Sequence, residues 1–191
     1  METPWQEQAM VANNASNSAL EAFLASVEKR AYRMAAISLG NPDDGLDVVQ
    51  DVMMRFCQRY ADKPQDEWRP LFFRMLNNRV IDFQRRETLK KRLFFWQWSD
   101  DSEDDPISDV ASRYADQPDQ QVEATQRLQR LDQEVNALPD RQREAFFLRC
   151  WEGFSTEETA SIMGCTTGSV KTHYSRALNR LKDSLQGAYY D

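Results

Sequence analysis

The sequence predicts an all-α protein: two small helical domains joined by a flexible acidic linker, the second carrying a helix-turn-helix. Three observations point there. First, six glycines and seven prolines in 191 residues are about 7%, where ~12% is typical. Residues 46–63 and 71–105 contain neither, and such unpunctuated runs favour helices over hairpins. Second, charge is segregated: residues 94–123 carry nine acidic residues and one basic. The flanking segments are nearly neutral or basic, which suggests two bodies and a self-repelling tether. Third, Ala160, Gly164 and Val170 fall at the spacing of a helix-turn-helix. That motif needs a small residue at the helix crossing, a glycine in the turn and an apolar residue sealing the second helix.

Element by element, residues 1–19 read as an N-terminal tail and 20–38 as a first helix, ended by the turn signal at Gly40–Gly45. Residues 46–60 form a second helix, with Leu46, Val49, Met53, Phe56 and Tyr60 on one stripe. Asp47, Asp51, Met54 and Gln58 lie on the other side, with Gln50 flanking. Residues 64–70 read as a loop between Pro64 and Pro70. A long helix from about 71 to 93 then places Phe72, Met75, Leu76, Val80 and Phe83 on its apolar face. Arg74, Asn78, Arg85 and Arg92 cluster opposite, and residues 68–92 hold eight basic residues against two acidic. Phe72 is expected in the core and Trp68 on the surface.

Beyond the linker, helices are expected at about 122–137, 140–151, 155–163 and 167–185, with breaks at Pro139, Gly153 and Gly164. Ser155 and Glu158 match a capping box. In the last helix Val170, Tyr174, Ala177, Leu178, Leu181 and Leu185 share the apolar face. Ser169, Thr172, His173, Arg176 and Arg180 lie opposite, and residues 165–182 hold four basic residues and no acidic one. An acid-free polar face of this kind suits a recognition helix entering a major groove; an amphipathic helix with a solvated basic face is the plainer alternative.

Composition excludes several function classes. A single histidine, His173, rules out histidine-based triads and multi-histidine metal sites. Three widely spaced cysteines, Cys57, Cys150 and Cys165, give neither a disulfide framework nor a zinc module. No apolar run approaches a membrane span, and the N-terminus lacks the basic and apolar regions of a secretory signal. The expectation is a cytoplasmic protein with reduced thiols, no direct membrane insertion, no cofactor, no metal and no catalytic residue.

Taken together, the motifs resemble the extracytoplasmic-function group of bacterial RNA polymerase sigma factors, over roughly 20–93 and 124–187. Asp47–Phe56 resembles the family helix that docks on the clamp helices of the polymerase β′ subunit. Phe72–Arg86 resembles the helix that melts and reads the promoter −10 element. Leu138–Arg149 with the helix-turn-helix resembles the domain that reads the −35 element. The resemblance implies a factor that is not an enzyme, but binds core RNA polymerase and directs promoter recognition and transcription initiation.

By the same resemblance, Asp47, Gln50 and Asp51 would contact polymerase, and Asp51→Arg would abolish binding without harming the fold. Trp68, Arg74, Asn78, Arg79, Arg85 and Arg86 would engage −10 DNA, the arginines through phosphates and Asn78 in a base pocket. Ser169, Lys171, Thr172, His173, Ser175, Arg176 and Arg180 would face −35 DNA. Arg176 is the best candidate for a base edge or an adjacent phosphate, whereas His173 is equally a phosphate contact or a plain surface residue. The implied partners are core RNA polymerase, promoter DNA and an anti-sigma factor.

Two departures stand out. Residues 61–71 lack the family's usual Phe-Arg-Gly stretch, and Leu71 occupies the usual tryptophan position. The acidic linker either occupies the polymerase RNA-exit channel or is a soluble tether. Two rivals remain. A two-domain helix-turn-helix regulator would bind duplex DNA without polymerase docking, and the discriminating residues are 47–86. An enzyme using the acidic run 100–105 as a metal site would lack the fixed ligand geometry and outer-shell support that catalysis requires.

Overall fold

The computed structural model describes residues 4–98 and 129–187. All its elements are helical: α1 (Pro4–Leu39), α2 (Pro42–Tyr60), α3 (Gln65–Trp98), α4 (129–136), α5 (Asp140–Phe146), a π-helical segment (Phe147–Trp151), α6 (Thr156–Met163) and α7 (Thr167–Gly187). No strand occurs among the described residues, as the sparse glycine and proline predict. The linker lies mostly outside them: residues 99–128 are not described.

Helices α1, α2 and α3 form a three-helix bundle. Val27, Ala31 and Ala35 of α1 pack against Val48, Val49, Val52 and Phe56 of α2 and Phe72, Phe73 and Leu76 of α3, all buried. Phe23 sits at the aromatic centre, with ring centroids 5.6 Å from Phe56, 5.6 Å from Trp68 and 5.9 Å from Phe72. Edge-on contacts such as Phe23–Phe72 and Phe56–Phe72 place the positive ring edge against the negative face.

Several boundaries differ from the sequence expectation, each for a local reason. Helix α1 begins at Pro4, so the expected boundary at residue 20 falls inside it. Helix α2 begins at Pro42: Asn41 caps it by accepting from the Asp43 N–H at 2.9 Å, proline takes the first turn, and Asp43 and Asp44 face the positive helix end. Gly45, expected in a turn, is instead buried within α2. A Cβ there would lie 2.7 Å from the Ala36 backbone, so glycine is what lets α1 and α2 approach. Only Gly40 and Asn41 separate the two helices.

The expected loop 64–70 is helix. Residues 65–70 form the first turns of α3, with Asp66 and Glu67 at its N-terminus and Pro70 inside it. Proline near a helix start removes a single internal hydrogen bond. That loss is offset because this turn carries Trp68 into the core, where it is 2% exposed. The expected surface position of Trp68 is therefore corrected. Leu46, expected in the core, is 45% exposed, and the buried stripe of α2 runs through Val48 and Val52 instead.

Helices α4–α7 pack around Val135, Leu138, Ala145, Phe147, Leu148, Ala160, Val170, Ala177 and Leu181. Leu178, expected on the same apolar face, is 40% exposed. Between α5 and α6 the chain widens into the π-helical segment, closed by the Glu152 N–H to Phe147 O bond of 2.9 Å. The two groups of helices touch directly, α3 against α6, and the Phe73 and Phe154 rings meet edge-on at 5.6 Å.

Candidate nucleic-acid interface

The helix-turn-helix follows its sequence signals closely. Ser155 Oγ accepts from the Glu158 N–H at 3.1 Å, and Glu158 returns a bond to the Ser155 N–H at 2.7 Å. The Ser155 N–H and, next, its hydroxyl hold the Glu158 carboxyl below its ordinary titration range. Negative charge is thus kept at the positive end of α6. Gly164 ends α6 in the left-handed conformation, φ 62°, and its N–H donates to Ala160 O. Thr166 starts α7, its Oγ1 accepting from the Ser169 N–H at 3.1 Å. Ala160 and Val170 are buried where the two helices cross.

On α7, Lys171, Thr172, Ser175, Arg176 and Arg180 are exposed, and Ser169 and His173 half-buried. The Thr172 hydroxyl donates to Gly168 O at 3.0 Å, so it is engaged by its own helix. Ala177 and Leu181, on the far side, fix the helix to the core. The arrangement offers mobile cations and short hydroxyl side chains on a rigid rod, which is chemistry suited to a phosphate-lined groove.

The predicted face of α3 is present as well. Arg74, Asn78, Arg85 and Arg86 are exposed, while Phe72, Phe73, Leu76 and Val80 anchor the helix. Exposed Lys90 and Lys91 lengthen this basic surface, a signal already visible in the charge count of residues 68–92. Trp68 departs from the group, being enclosed by Phe23 and its neighbours. Arg79 does too: its Nε donates to Asp51 Oδ2 at 2.6 Å, so its charge is engaged within the protein.

Among the residues predicted to dock polymerase, Asp47 and Gln50 are exposed and Asp51 is half-buried. Burial alone would raise the Asp51 carboxyl. Hydrogen bonds and charge from Arg55 and Arg79 outweigh that and hold it below its ordinary range. Asp51 therefore ties α2 to α3, and the expectation that Asp51→Arg leaves the fold intact is corrected.

Sequence reasoning missed the charged residues between the two groups of helices. Glu152 is a buried carboxylate facing Arg69 at 3.1 Å and Arg30 at 3.5 Å. Glu144 is buried and accepts from Asn77 and from Arg141, the latter at 3.0 Å. Arg33 pairs with Asp132 at 3.0 Å and lies over the Trp151 ring. Apart from Arg141, these partners are remote in sequence, so neither periodicity nor spacing announces them. Among the described residues no cluster of three or more His, Cys, Asp or Glu could hold a metal ion; the acidic run lies outside them. No described helix is long and apolar enough to cross a membrane.

Residues 128–181, from α4 through most of α7, match the family described as sigma-70, region 4. The extracytoplasmic-function sigma factor SigD of Mycobacterium tuberculosis is 41% identical over 71 residues, 37% of this chain and 34% of SigD. The match thus spans about a third of the SigD length. The sigma-E factor of Streptomyces coelicolor is 26% identical over 165 residues, covering 86% of this chain and 85% of that protein. The Bartonella quintana sigma factor RpoE, solved in complex with the anti-sigma factor NepR, superposes with a TM-score of 0.57 at 26% identity. That superposition covers 87% of this chain and 98% of RpoE. The chain is similar to extracytoplasmic-function sigma factors over most of its length, and its residues 128–181 match the sigma-70 region 4 family. The likeness extends over both groups of helices, so the chain shares more with these proteins than the helix-turn-helix.

Proposed function

We propose that this chain acts as an alternative-type sigma factor: it binds core RNA polymerase and directs promoter recognition and transcription initiation. The observation that carries the reading is one chain holding two separate exposed basic helix faces, on α3 and α7, beside the carboxylate-bearing face of α2. A duplex-binding regulator needs only the α7 face. The factor itself is not an enzyme; polymerase performs the chemistry, in the cytoplasm where it resides.

In this reading residues 20–93 form the polymerase-docking and −10 domain, 94–123 the linker, and 124–187 the −35 domain. Asp47 and Gln50 meet basic and polar groups of the β′ clamp helices. Asp51 contributes mainly by setting the angle between α2 and α3. Arg74, Arg85 and Arg86 take DNA phosphates, and Asn78 offers an amide to a displaced base. Arg79 and Trp68 support this surface from beneath it rather than touching DNA. On α7, Arg176 reads a base edge or neighbouring phosphate, with Ser169, Lys171, Thr172, His173, Ser175 and Arg180 around it. Control falls to a separate anti-sigma factor, a reading supported by the RpoE–NepR complex.

The test is co-elution of the purified chain with bacterial core polymerase on gel filtration, with Asp47→Arg beside it. Co-elution lost in the variant, with run-off transcription from a selected promoter by the wild type, is the expected result. A folded wild type that binds duplex DNA specifically but not core polymerase would replace this reading with the helix-turn-helix regulator.

A further inference from the structure

Three arginines of residues 140–151, none of them part of the proposed DNA or polymerase surfaces, donate to backbone carbonyls of neighbouring elements. Arg143 is buried and donates through Nη1 to Asn136 O at 2.6 Å and to Leu138 O at 3.2 Å, which seats α5 on the end of α4. Arg141 donates through Nη1 to Met163 O at 3.0 Å, at the last residue of α6. Arg149 donates to Phe154 O, just before the Ser155 cap of α6, and lies over the Tyr174 ring of α7 at 5.8 Å. The Phe154 N–H donates in turn to Leu148 O at 2.9 Å. Both ends of α6 are therefore held, through backbone groups, to one neighbouring segment.

At the far end of α6 the acceptor is one that a helix cannot satisfy by itself. The last carbonyls of an α-helix have no partner inside it and carry the negative end of its dipole. Ala160 O is taken by the Gly164 and Cys165 N–H groups, the latter at 3.0 Å, whereas Met163 O takes the Arg141 guanidinium. That guanidinium is itself held by Glu144 Oε2 at 3.0 Å. A cation tethered by its own carboxylate fixes the carbonyl it bonds more firmly than a freely swinging side chain would.

We propose that Arg141 and Arg149 are positioning residues for DNA reading: by holding α6 at both ends, they fix the angle at which α7 meets the major groove. Only residues 164–166 join α6 to α7, so a helix pinned at Met163 leaves α7 little freedom at its start. Arg149 adds a contact with α7 itself, through the face of Tyr174. Neither arginine needs to touch DNA. Base-edge readout requires side chains to arrive within hydrogen-bond distance. A loosened α7 therefore loses sequence preference before it loses attraction to phosphates, which line the whole groove. This inference rests on the −35 reading of α7 for its consequence, while the pinned α6 is a property of the free chain.

Amide hydrogen exchange of the free full-length chain and run-off transcription with core polymerase test it together. Arg141→Ala/Arg149→Ala should exchange about tenfold faster at the Cys165 and Val170 amides, which bond Ala160 O and Thr166 O, with the amides of α1–α3 unchanged. Transcription should lose about tenfold of its preference for a selected −35 sequence over a scrambled one, comparable to one lost base contact. Output from the scrambled promoter should stay the same. Arg141→Lys/Arg149→Lys keeps a cationic donor at each carbonyl and should restore both readouts. Arg141→Ala alone, at a side chain 51% exposed, gives the same test at smaller amplitude should the double variant fail to fold. Unchanged exchange in a folded alanine variant overturns the proposal. So do equal losses at both promoters, which mark phosphate contact or lost stability, and a lysine variant as impaired as the alanine one. Faster exchange with no transcription by any form, wild type included, would retain the pinned α6 and remove the sigma reading.

Discussion

Arg79 Nε donates to Asp51 Oδ2 at 2.6 Å, across 28 positions of sequence, while Arg55 holds the other carboxylate oxygen at 2.8 Å. One carboxylate thus fastens α2 to α3 beneath the exposed Asp47 and Gln50. Asp51→Ala should lower stability by about 1 kcal/mol, as expected for a partly exposed ion-pair network. Asp51→Arg should cost more by setting three cations together. Urea unfolding measures both, and an unchanged midpoint in either would show that the bridge adds nothing. The Asp51 carboxyl titrates lower in the fold than its ordinary value of 3.8. Its contribution is therefore complete above that value and is lost as pH falls through the lower, folded one.

Gly45→Ala should separate α1 from α2. The new methyl would meet Ala36 backbone atoms at 2.7 Å, and a backbone neighbour cannot swing aside as a side-chain tip can. A loss of about 1–3 kcal/mol is expected, despite the higher helix propensity of alanine. Thermal unfolding of the variant at or above the wild-type midpoint would contradict the close approach.

Glu144 predicts the opposite pH behaviour to Asp51. Burial raises its carboxyl, opposed by the charge and hydrogen bond of Arg141 and by the Asn77 amide, and the balance stays above the ordinary 4.5. Just above that pH the folded chain holds a proton that the unfolded chain has released. Stability associated with Glu144 therefore falls as pH rises through its folded value. Glu144→Gln, which keeps an acceptor for Asn77, should remove this fall and be the more stable form at pH 8. Parallel melts at pH 5 and pH 8 with the same difference between wild type and variant would refute it.

Arg74→Ala and Arg176→Ala should differ in kind. If Arg74 takes a phosphate as proposed, its loss should weaken all promoters alike and flatten the salt dependence by about one counterion. Loss of Arg176 should cost roughly 1–3 kcal/mol at promoters with the preferred −35 sequence and little elsewhere, if it reads a base edge. Equal losses at matched and mismatched −35 sequences would reassign Arg176 to the phosphate backbone.

The elements set by local chemistry were legible in advance. The Ser155–Glu158 cap, the Gly164 turn and the Ala160–Val170 crossing each depend on residues a few positions apart. The same holds for the buried faces of α3 and the exposed cations of α7. Misplaced elements were those where tertiary packing overrode a local signal. Gly45 resembles a turn residue until α1 is seen beside it, and Pro64 and Pro70 mark a loop only if Trp68 has nowhere to bury. Trp68 itself shows this most clearly: its indole fills the space around Phe23 even though its Nε1 finds no acceptor among the described residues. Charged pairs such as Arg79–Asp51 and Arg69–Glu152 carry no periodic trace, so a residue expected to touch DNA can instead be neutralised by its own protein.

The π-helical stretch Phe147–Trp151 sets the angular phase of everything after it. An α-helix advances about 100° per residue, and a turn closed across five residues absorbs one residue beyond the α repeat. Deleting a single residue within this stretch would return it to the ordinary pitch and rotate the following chain by about a third of a turn. Glu152 and Phe154 would then swing away from α3, while Ser155 could still cap α6 and Val170 could still seal α7. A frame shift of one residue, rather than any change of side chain, would thus uncouple the two halves of the molecule and leave the helix-turn-helix whole.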